Sequence, residues 1–361
     1  MTIKTEPMCT KCVLPSTTPG IEFDANGVCN YCRTYVPMQV QGEAKLLEAL
    51  DAFRGTGRDY DCVVLISGGR DSTYTLWKLA HDYGMRVLAL NYRMPWTSQQ
   101  ARDNMQRAFD ILRVDSVSFE LPNDIHRRAT NKALRAWAHR PSSTMIPVVC
   151  AHCKTLWPDY FRIAQDQGIH LMVLGSNPLE TASFKNSGLG GARTYHRLSN
   201  LPRIVAKSLK EVALNPHYLL SCSWGLIAKM YLMAGHTSPY LRWRYKDITV
   251  LRAFDYIEWN EREVMSTVAA NLGWKKSDEV PSYWRFDCRL DYVRRLMYAS
   301  TIGVTELRDL FSKMIREGQM TRDEALARLA KEDVVPLAVV EDVLAELGMK
   351  PSDLPLGLAE A

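Results

Sequence analysis

Six consecutive residues, Ser67-Gly68-Gly69-Arg70-Asp71-Ser72, combine backbone freedom, hydroxyl donors and charge in a pattern suited to a phosphorylated ligand. Glycines let the main chain approach an anion closely. A helix that begins beside them aims its unpaired N–H groups and positive dipole end at that anion. Ser67 and Ser72 add hydroxyl donors, while Arg70 is either a phosphate clamp or a solvated charge on the first helical turn. The run lacks the Gly-x-x-x-x-Gly-Lys-Ser/Thr spacing, so the machinery for β/γ-phosphate hydrolysis is not indicated. The competing reading is a structural turn.

The second source of chemistry is sulfur. The chain has nine cysteines, six of them in the pairs Cys9/Cys12, Cys29/Cys32 and Cys150/Cys153. The first two pairs have the spacing of a four-thiolate zinc ribbon, in which both knuckles meet one tetrahedral ion. Four thiolates fill the coordination sphere, so this Zn2+ would be structural; a segment with little core of its own would draw folding energy from it. Cys150-Ala-His152-Cys153 has no matching second pair. It is read as free thiols, as a second zinc site with His152 or a distant cysteine, or as part of a [4Fe–4S] cluster with one open iron. Cys288 is the first choice for a third cluster ligand and Cys222 the alternative, although Cys222 in a helical run also reads as packing. Cys62 reads as core.

Further polar residues accompany these motifs. Lys154 is either a cation on nucleotide phosphates or a solvated helix residue. Asn177 and Glu180 hold ribose, substrate or Mg2+, or simply form a turn. Lys185, Arg193, Arg197, Arg203, Lys207 and Lys210 form a basic stretch suited to an anionic substrate. Aromatic residues between 231 and 259 read as core and interface rather than as base-stacking platforms.

These residues need a scaffold, and the pattern of the chain supplies one. The apolar run 62–66 ends at Ser67 and a helix follows over 72–83, stopped by Gly84. Strands at 86–90, 114–120 and 171–174 alternate with helices at 97–112 and 124–140 and another after Cys153. Such alternation predicts a doubly wound parallel sheet. Ligands in these sheets lie beyond the carboxyl ends of the strands, so Ser67, Asn91 and the Gly175-Ser176-Asn177 turn are expected at one site. From about residue 204 the periodicity is helical, with Pro216 interrupting 205–235, amphipathic stretches at 261–273 and 303–348, and a cap formed by Thr321 and Glu324. The expected organisation is a ribbon over 1–40, a nucleotide domain over 41–203, and a mainly helical substrate or partner domain over 204–361.

Composition narrows the class. The 361 residues carry 47% hydrophobic and 24% charged residues with a net charge of +5. This is ordinary for a globular protein and suits phosphorylated substrates without requiring nucleic acid. The sequence contains no membrane-spanning run and no secretory leader, which predicts a cytoplasmic protein with reduced thiols.

The order of motifs resembles the N-acetyl sugar amidotransferase family of surface-polysaccharide biosynthesis. It runs from Cys9-x2-Cys12-Val-Leu-Pro, Pro19-Gly-Ile-Glu-Phe-Asp24 and Gly27-Val-Cys29-x2-Cys32 to Asp61-Cys-Val-Val-Leu-Ile-Ser67-Gly-Gly-Arg-Asp71-Ser72-Thr-Tyr. Cys150-Ala-His-Cys153, Gly175-Ser-Asn177-Pro and Gly318-Gln-Met-Thr-Arg-Asp-Glu-Ala325-Leu follow. The resemblance implies an adenine nucleotide alpha hydrolase-like (PP-loop) fold with an N-terminal zinc ribbon and a helical C-terminal region. It also implies an ATP pyrophosphatase-type ligase that adenylates an N-acetyl group on a nucleotide-linked sugar and replaces its oxygen with ammonia. The product is an acetamidino group, and the ammonia comes from a separate glutaminase and cyclase-like pair. By the same resemblance Ser67, Gly68, Gly69, Asp71 and Ser72 bind the ATP phosphates with Mg2+, and the four ribbon cysteines hold zinc. With Arg70, Asn91 and Gly175 on the nucleotide, the candidate catalytic set is Ser67, Asp71, Lys154 and Asn177. Two departures stand out. Arg70 takes a position where lysine is usual, and both 283–288 and the sequence after Asn177, read as substrate-recognition segments, differ from the family pattern.

Two alternatives remain beside this reading. Cys150-x2-Cys153-Lys154 followed by Gly-x-Asn also looks like the cluster-containing tRNA thiolation enzymes, where sulfur attacks the adenylate and nucleic acid is the substrate. A non-enzymatic reading is a ribbon adaptor that binds nucleotide or RNA without turnover.

Overall fold

The computed structural model describes residues 6–181, 183–184, 197–221, 229, 233 and 235–355. Its centre is a five-stranded sheet of β1 (Cys62–Leu65), β2 (Val87–Tyr92), β3 (Asp115–Phe119), β4 (Leu171–Leu174) and β5 (Thr249–Arg252) in the order β3-β2-β1-β4-β5. Every pairing is parallel, with Leu65 opposite Leu90 and Val64 opposite Val173. The chain order reverses between β1 and β4, which places the crevice of such a sheet at the end of β1.

Side-chain alternation builds the two faces. Cys62, Val64 and Ile66 enter one core with Leu46, Leu76 and Ala89. Val63 enters the other with Leu88, Leu90, Ile163 and Met172. Each fully buried aliphatic residue of this kind contributes about 1.5–3 kcal/mol.

The crossover helices are α1 (Arg70–Trp77), α2 (Gln99–Leu112), α3 (Ile125–His139) and α4 (Trp157–Asp166). α1 continues as a π-helical turn over Lys78–Asp82 before Gly84 takes φ 59°. α2 begins where the Ser98 hydroxyl accepts from the Ala101 N–H. Farther along, α5 (Arg197–Leu214) ends ahead of Pro216. Lys207 and Lys210 lie on α5; Lys185, Arg193, Cys222 and the side chains of Arg197 and Arg203 lie outside the described residues.

β5 departs from the expected organisation. It lies beyond residue 203, inside the stretch read as helical, and it completes the sheet beside β4. Four partly exposed residues at a sheet edge carry too weak a pattern to stand out in sequence. Among the aromatic residues near it, Trp259 is buried as expected, but Trp243 is 76% exposed.

After β5 come α6 (Glu261–Leu272), α7 (Leu290–Ile302), α8 (Glu306–Arg316), α9 (Arg322–Glu332) and α10 (Leu337–Glu346). The Thr321/Glu324 capping box is present at the start of α9. Val13, Leu14 and Tyr31 of the N-terminal segment share one core with Leu307, Leu310 and Met314. The ribbon is thus packed on the C-terminal helices. No described helix is long and apolar enough to cross a membrane.

Candidate functional site

The Ser67–Ser72 loop closes on itself at the carboxyl end of β1. The Gly69 N–H donates to Ser67 Oγ at 3.3 Å, Ser67 Oγ and Ser72 Oγ lie 3.4 Å apart, and Ser72 Oγ donates to the Gly69 carbonyl at 3.1 Å. Gly68 has φ 81°, and a Cβ there would meet the Ala101 carbonyl oxygen at 2.2 Å. Only glycine fits that approach. Asn91, at the end of β2, donates its amide to the Ile66 carbonyl at 2.8 Å, and Trp274 Nε1 donates to the Gly68 carbonyl at 3.0 Å. The hydroxyls and helix start that favour phosphate therefore stand in a fixed arrangement.

Asp71 and Arg70 turn inward. Asp71 Oδ1 accepts from Trp259 Nε1 at 2.8 Å. Burial pushes its carboxyl up to about 7, against the pull of the adjacent Arg70. Arg70 is 3% exposed and pairs with Glu261 at 2.5 Å, its guanidinium lying over the Trp259 ring. It is not the solvated charge that its place on a first turn allows, because α6 supplies a carboxylate against it. Its Nη2 atom is buried without a hydrogen-bond partner.

At the end of β4, a Cβ on Gly175 would meet Thr75 Oγ1 at 2.4 Å and the Asp71 carbonyl at 2.9 Å, so this strand end is pressed against α1. Asn177 Oδ1 accepts from the Leu179 N–H at 2.8 Å, while its buried Nδ2 has no partner. Glu180 lies 3.6 Å from Arg285 Nη2. Lys154 instead donates to the Pro147 carbonyl at 3.1 Å.

A segment from far along the chain lies over the loop. Asp287 Oδ2 is 3.4 Å from the position a Cβ on Gly69 would take, and the nearby Ser67 side chain draws the Asp287 carboxyl down against the larger, raising effect of burial. The Asp287 carbonyl accepts from the Ser98 N–H, and the Arg289 N–H donates to the Trp96 carbonyl. Sequence reasoning missed Trp259, Glu261, Trp274 and Asp287, none of which lies in a motif. The departure at 283–288 was the available signal.

Beside the loop, a cavity of about 780 Å³ opens at the carboxyl ends of β2 and β3, lined by Asn91, Tyr92, Met94, Arg102, Phe109 and His126. Its size suits a small-molecule ligand of nucleotide dimensions.

The cysteine sets differ in geometry. The sulfurs of Cys9, Cys12, Cys29 and Cys32 all lie within 4.8 Å of one another, and all four residues are buried. This set fits one tetrahedral ion. Arg316 Nε is 3.3 Å from Cys32 Sγ, and Arg322 Nε donates to the Cys9 and Cys12 carbonyls. Cys153 Sγ and Cys288 Sγ lie 3.6 and 3.8 Å from Met94 Sδ, and Cys153 Sγ lies 3.8 Å from His126 Nε2. Burial and then the neighbouring Cys150 push the Cys153 thiol up to about 12. Burial holds His126 down at about 3 and His152 at about 4, so both rings are neutral near pH 7. Of the expected trio of Cys150, Cys153 and Cys288, the last two meet at Met94, and the three do not form a set as tight as the ribbon's among the described residues.

Comparison with known proteins adds the following. Residues 289–355 match the family described as LPS biosynthesis protein WbpG-like, C-terminal domain. No curated protein matches the chain. Among solved structures, the chain is similar to NMN synthetase from Francisella tularensis, at 15% identity and a TM-score of 0.38, covering 79% of this chain and 89% of that one. It is also similar to the U34-tRNA thiolase NcsA from Methanococcus maripaludis with its [4Fe-4S] cluster, at 11% identity and a TM-score of 0.32, covering 98% and 92%.

Proposed function

We propose that this chain, whose residues 289–355 match the family described as LPS biosynthesis protein WbpG-like, C-terminal domain, is an ATP-dependent enzyme that adenylates the amide oxygen of an N-acetyl group on a nucleotide-linked sugar and then transfers nitrogen. The observation that carries this reading is the rigid Ser67–Ser72 loop at the sheet's switch point, beside a cavity of nucleotide size.

In this reaction the substrate's amide oxygen attacks the α-phosphorus of ATP, and the bond from that phosphorus to the β-bridging oxygen breaks to release pyrophosphate. Ammonia then attacks the imidoyl carbon, its C–O bond to AMP breaks, and loss of a proton leaves the acetamidino product. Ser67, Ser72 and the N–H groups at the start of α1 stabilise the departing pyrophosphate, since preformed donors in a fixed loop cost no reorganisation as charge develops. Asp71, with Asn177 and Gly175 at the adjoining strand end, completes the phosphate side. Asn91 positions the loop through the Ile66 carbonyl. Lys154, which donates to the Pro147 carbonyl, is the remaining candidate cation for the phosphates. A glutaminase and cyclase-like pair supplies the ammonia. The ribbon's zinc is structural and closes the N-terminal segment onto α8 and α9.

The test is pyrophosphate release with ammonium and a panel of nucleotide-linked sugars. Release that needs an N-acetylated sugar supports the reading; release driven by tRNA alone opposes it.

A second reading rests on the thiols. Cys150, Cys153 and Cys288 are too far apart for the single-ion set that the ribbon cysteines form, yet two of them flank Met94 Sδ. Thiolates of an iron–sulfur cluster bind different irons and so stand farther apart than ligands to one ion. With a cluster held here, sulfur transfer to the adenylate would replace nitrogen transfer. Anaerobic metal analysis separates the two: iron lost in Cys288→Ser supports the cluster, and one zinc without iron removes it.

A further inference from the structure

A carboxylate stands where an anion is to bind. Asp287 lies beside the Ser67 hydroxyl and against Gly69, in the loop whose glycines and helix start are built for phosphate. Besides burial, the neighbouring acid Glu180 raises the Asp287 carboxyl. Arg70 pairs with Glu261 and lies 3.5 Å from Asp71, while Arg285 lies 3.6 Å from Glu180 and also draws the Asp287 carboxyl down. A triphosphate brought against the Asp287 carboxylate still meets repulsion unless a cation lies between.

The backbone that delivers Asp287 is shaped for the purpose. Arg285 adopts φ 51°, a left-handed conformation uncommon for a residue with a side chain, and such strain gathers at functional sites. The segment is then tied to the entrance of α2 through the Ser98 N–H and the Trp96 carbonyl. Two buried donors, Arg70 Nη2 and Asn177 Nδ2, have no partner among the described residues, as expected where a ligand oxygen completes them.

We propose that Asp287 is a ligand of the divalent cation that accompanies ATP, joining the C-terminal segment to the phosphate loop through the metal. The inference rests on the nucleotide reading of the loop and extends it to a residue outside the loop motif. Mg2+ is commonly held by one or two carboxylates together with substrate phosphates, with water completing its shell, which is the set of oxygens available here.

The test is calorimetric titration of ATP into the full-length protein and its Asp287→Asn and Asp287→Glu variants, each with and without Mg2+. Melting curves and zinc content check that the variants are folded. In the native protein Mg2+ is expected to tighten ATP binding by about tenfold or more. Asp287→Asn should bind metal-free ATP at least as tightly as the native protein, because a repelling charge is gone, yet gain little from Mg2+. Asp287→Glu should recover part of that gain. A full Mg2+ effect in folded Asp287→Asn overturns the proposal, as does equal weakening with and without the metal. Failure of the native protein to bind ATP in either condition overturns the nucleotide reading itself and is distinguishable from both.

Discussion

Trp259 donates its indole N–H to Asp71 at 2.8 Å across 188 positions of sequence, fixing the acid of the phosphate loop from outside the loop. That hydrogen bond lowers the Asp71 carboxyl, while burial, the larger effect, raises it to about 7. In Trp259→Phe the bond is lost and the carboxyl rises further. If ionised Asp71 supports pyrophosphate release, the acidic limb of the pH–rate profile moves to higher pH. A limb that does not move places Asp71 outside the titrating step.

The same residue links pH to stability. Its folded value of about 7 lies above the ordinary 3.8. Its contribution is therefore fully present below the unfolded value and is lost as pH rises through about 7. Asp71→Asn removes this loss. Relative to the native protein, the variant should gain melting temperature at pH 8 but not at pH 4, while pyrophosphate release falls by about 100-fold or more. Zinc content should be unchanged. An equal shift at both pH values contradicts the assignment.

Much of this site was legible in sequence because its first half is local. An apolar strand, two glycines and a helix start are adjacent, and the continuous apolar run Cys62–Ile66 is the buried strand it was read as, its side chains shared between two cores. The ribbon cysteines were legible for the same reason, since each knuckle spans four residues. The second half was not. Trp259, Glu261, Trp274 and Asp287 reach the loop from about 190 to 220 residues away, where no period or motif records which side chain will meet which. Arg70 shows the consequence: its sequence position allows a solvated cation, and only α6 reveals the buried pair.

Glu261 bridges two arginines, Arg70 at 2.5 Å and Arg328 at 2.5 Å, and so connects the loop to α9. Removing one member of a buried pair leaves the partner charge uncompensated. Glu261→Gln should cost about 3 kcal/mol of stability. Urea unfolding measures it, and a midpoint equal to that of the native protein would show that the network bears no such weight.

Arg316 places a guanidinium 3.3 Å from Cys32 Sγ and 3.6 Å from Cys12 Sγ, tying the ribbon's metal ligands to α8. Groups that orient metal ligands in this way typically matter by about 10–100-fold in affinity. Arg316→Met should release zinc to a colorimetric chelator about tenfold faster than the native protein. Unchanged release would mean that the four thiolates alone set retention.

The central claim concerns which oxygen meets which phosphorus, and isotopic labelling reads it directly. With a nucleotide-linked sugar carrying 18O in its acetamido group, incubated with ATP, ammonium and the protein, the account predicts one 18O in the AMP that is formed. Label retained in the sugar while ATP is cleaved, or cleavage to ADP and inorganic phosphate, would contradict it.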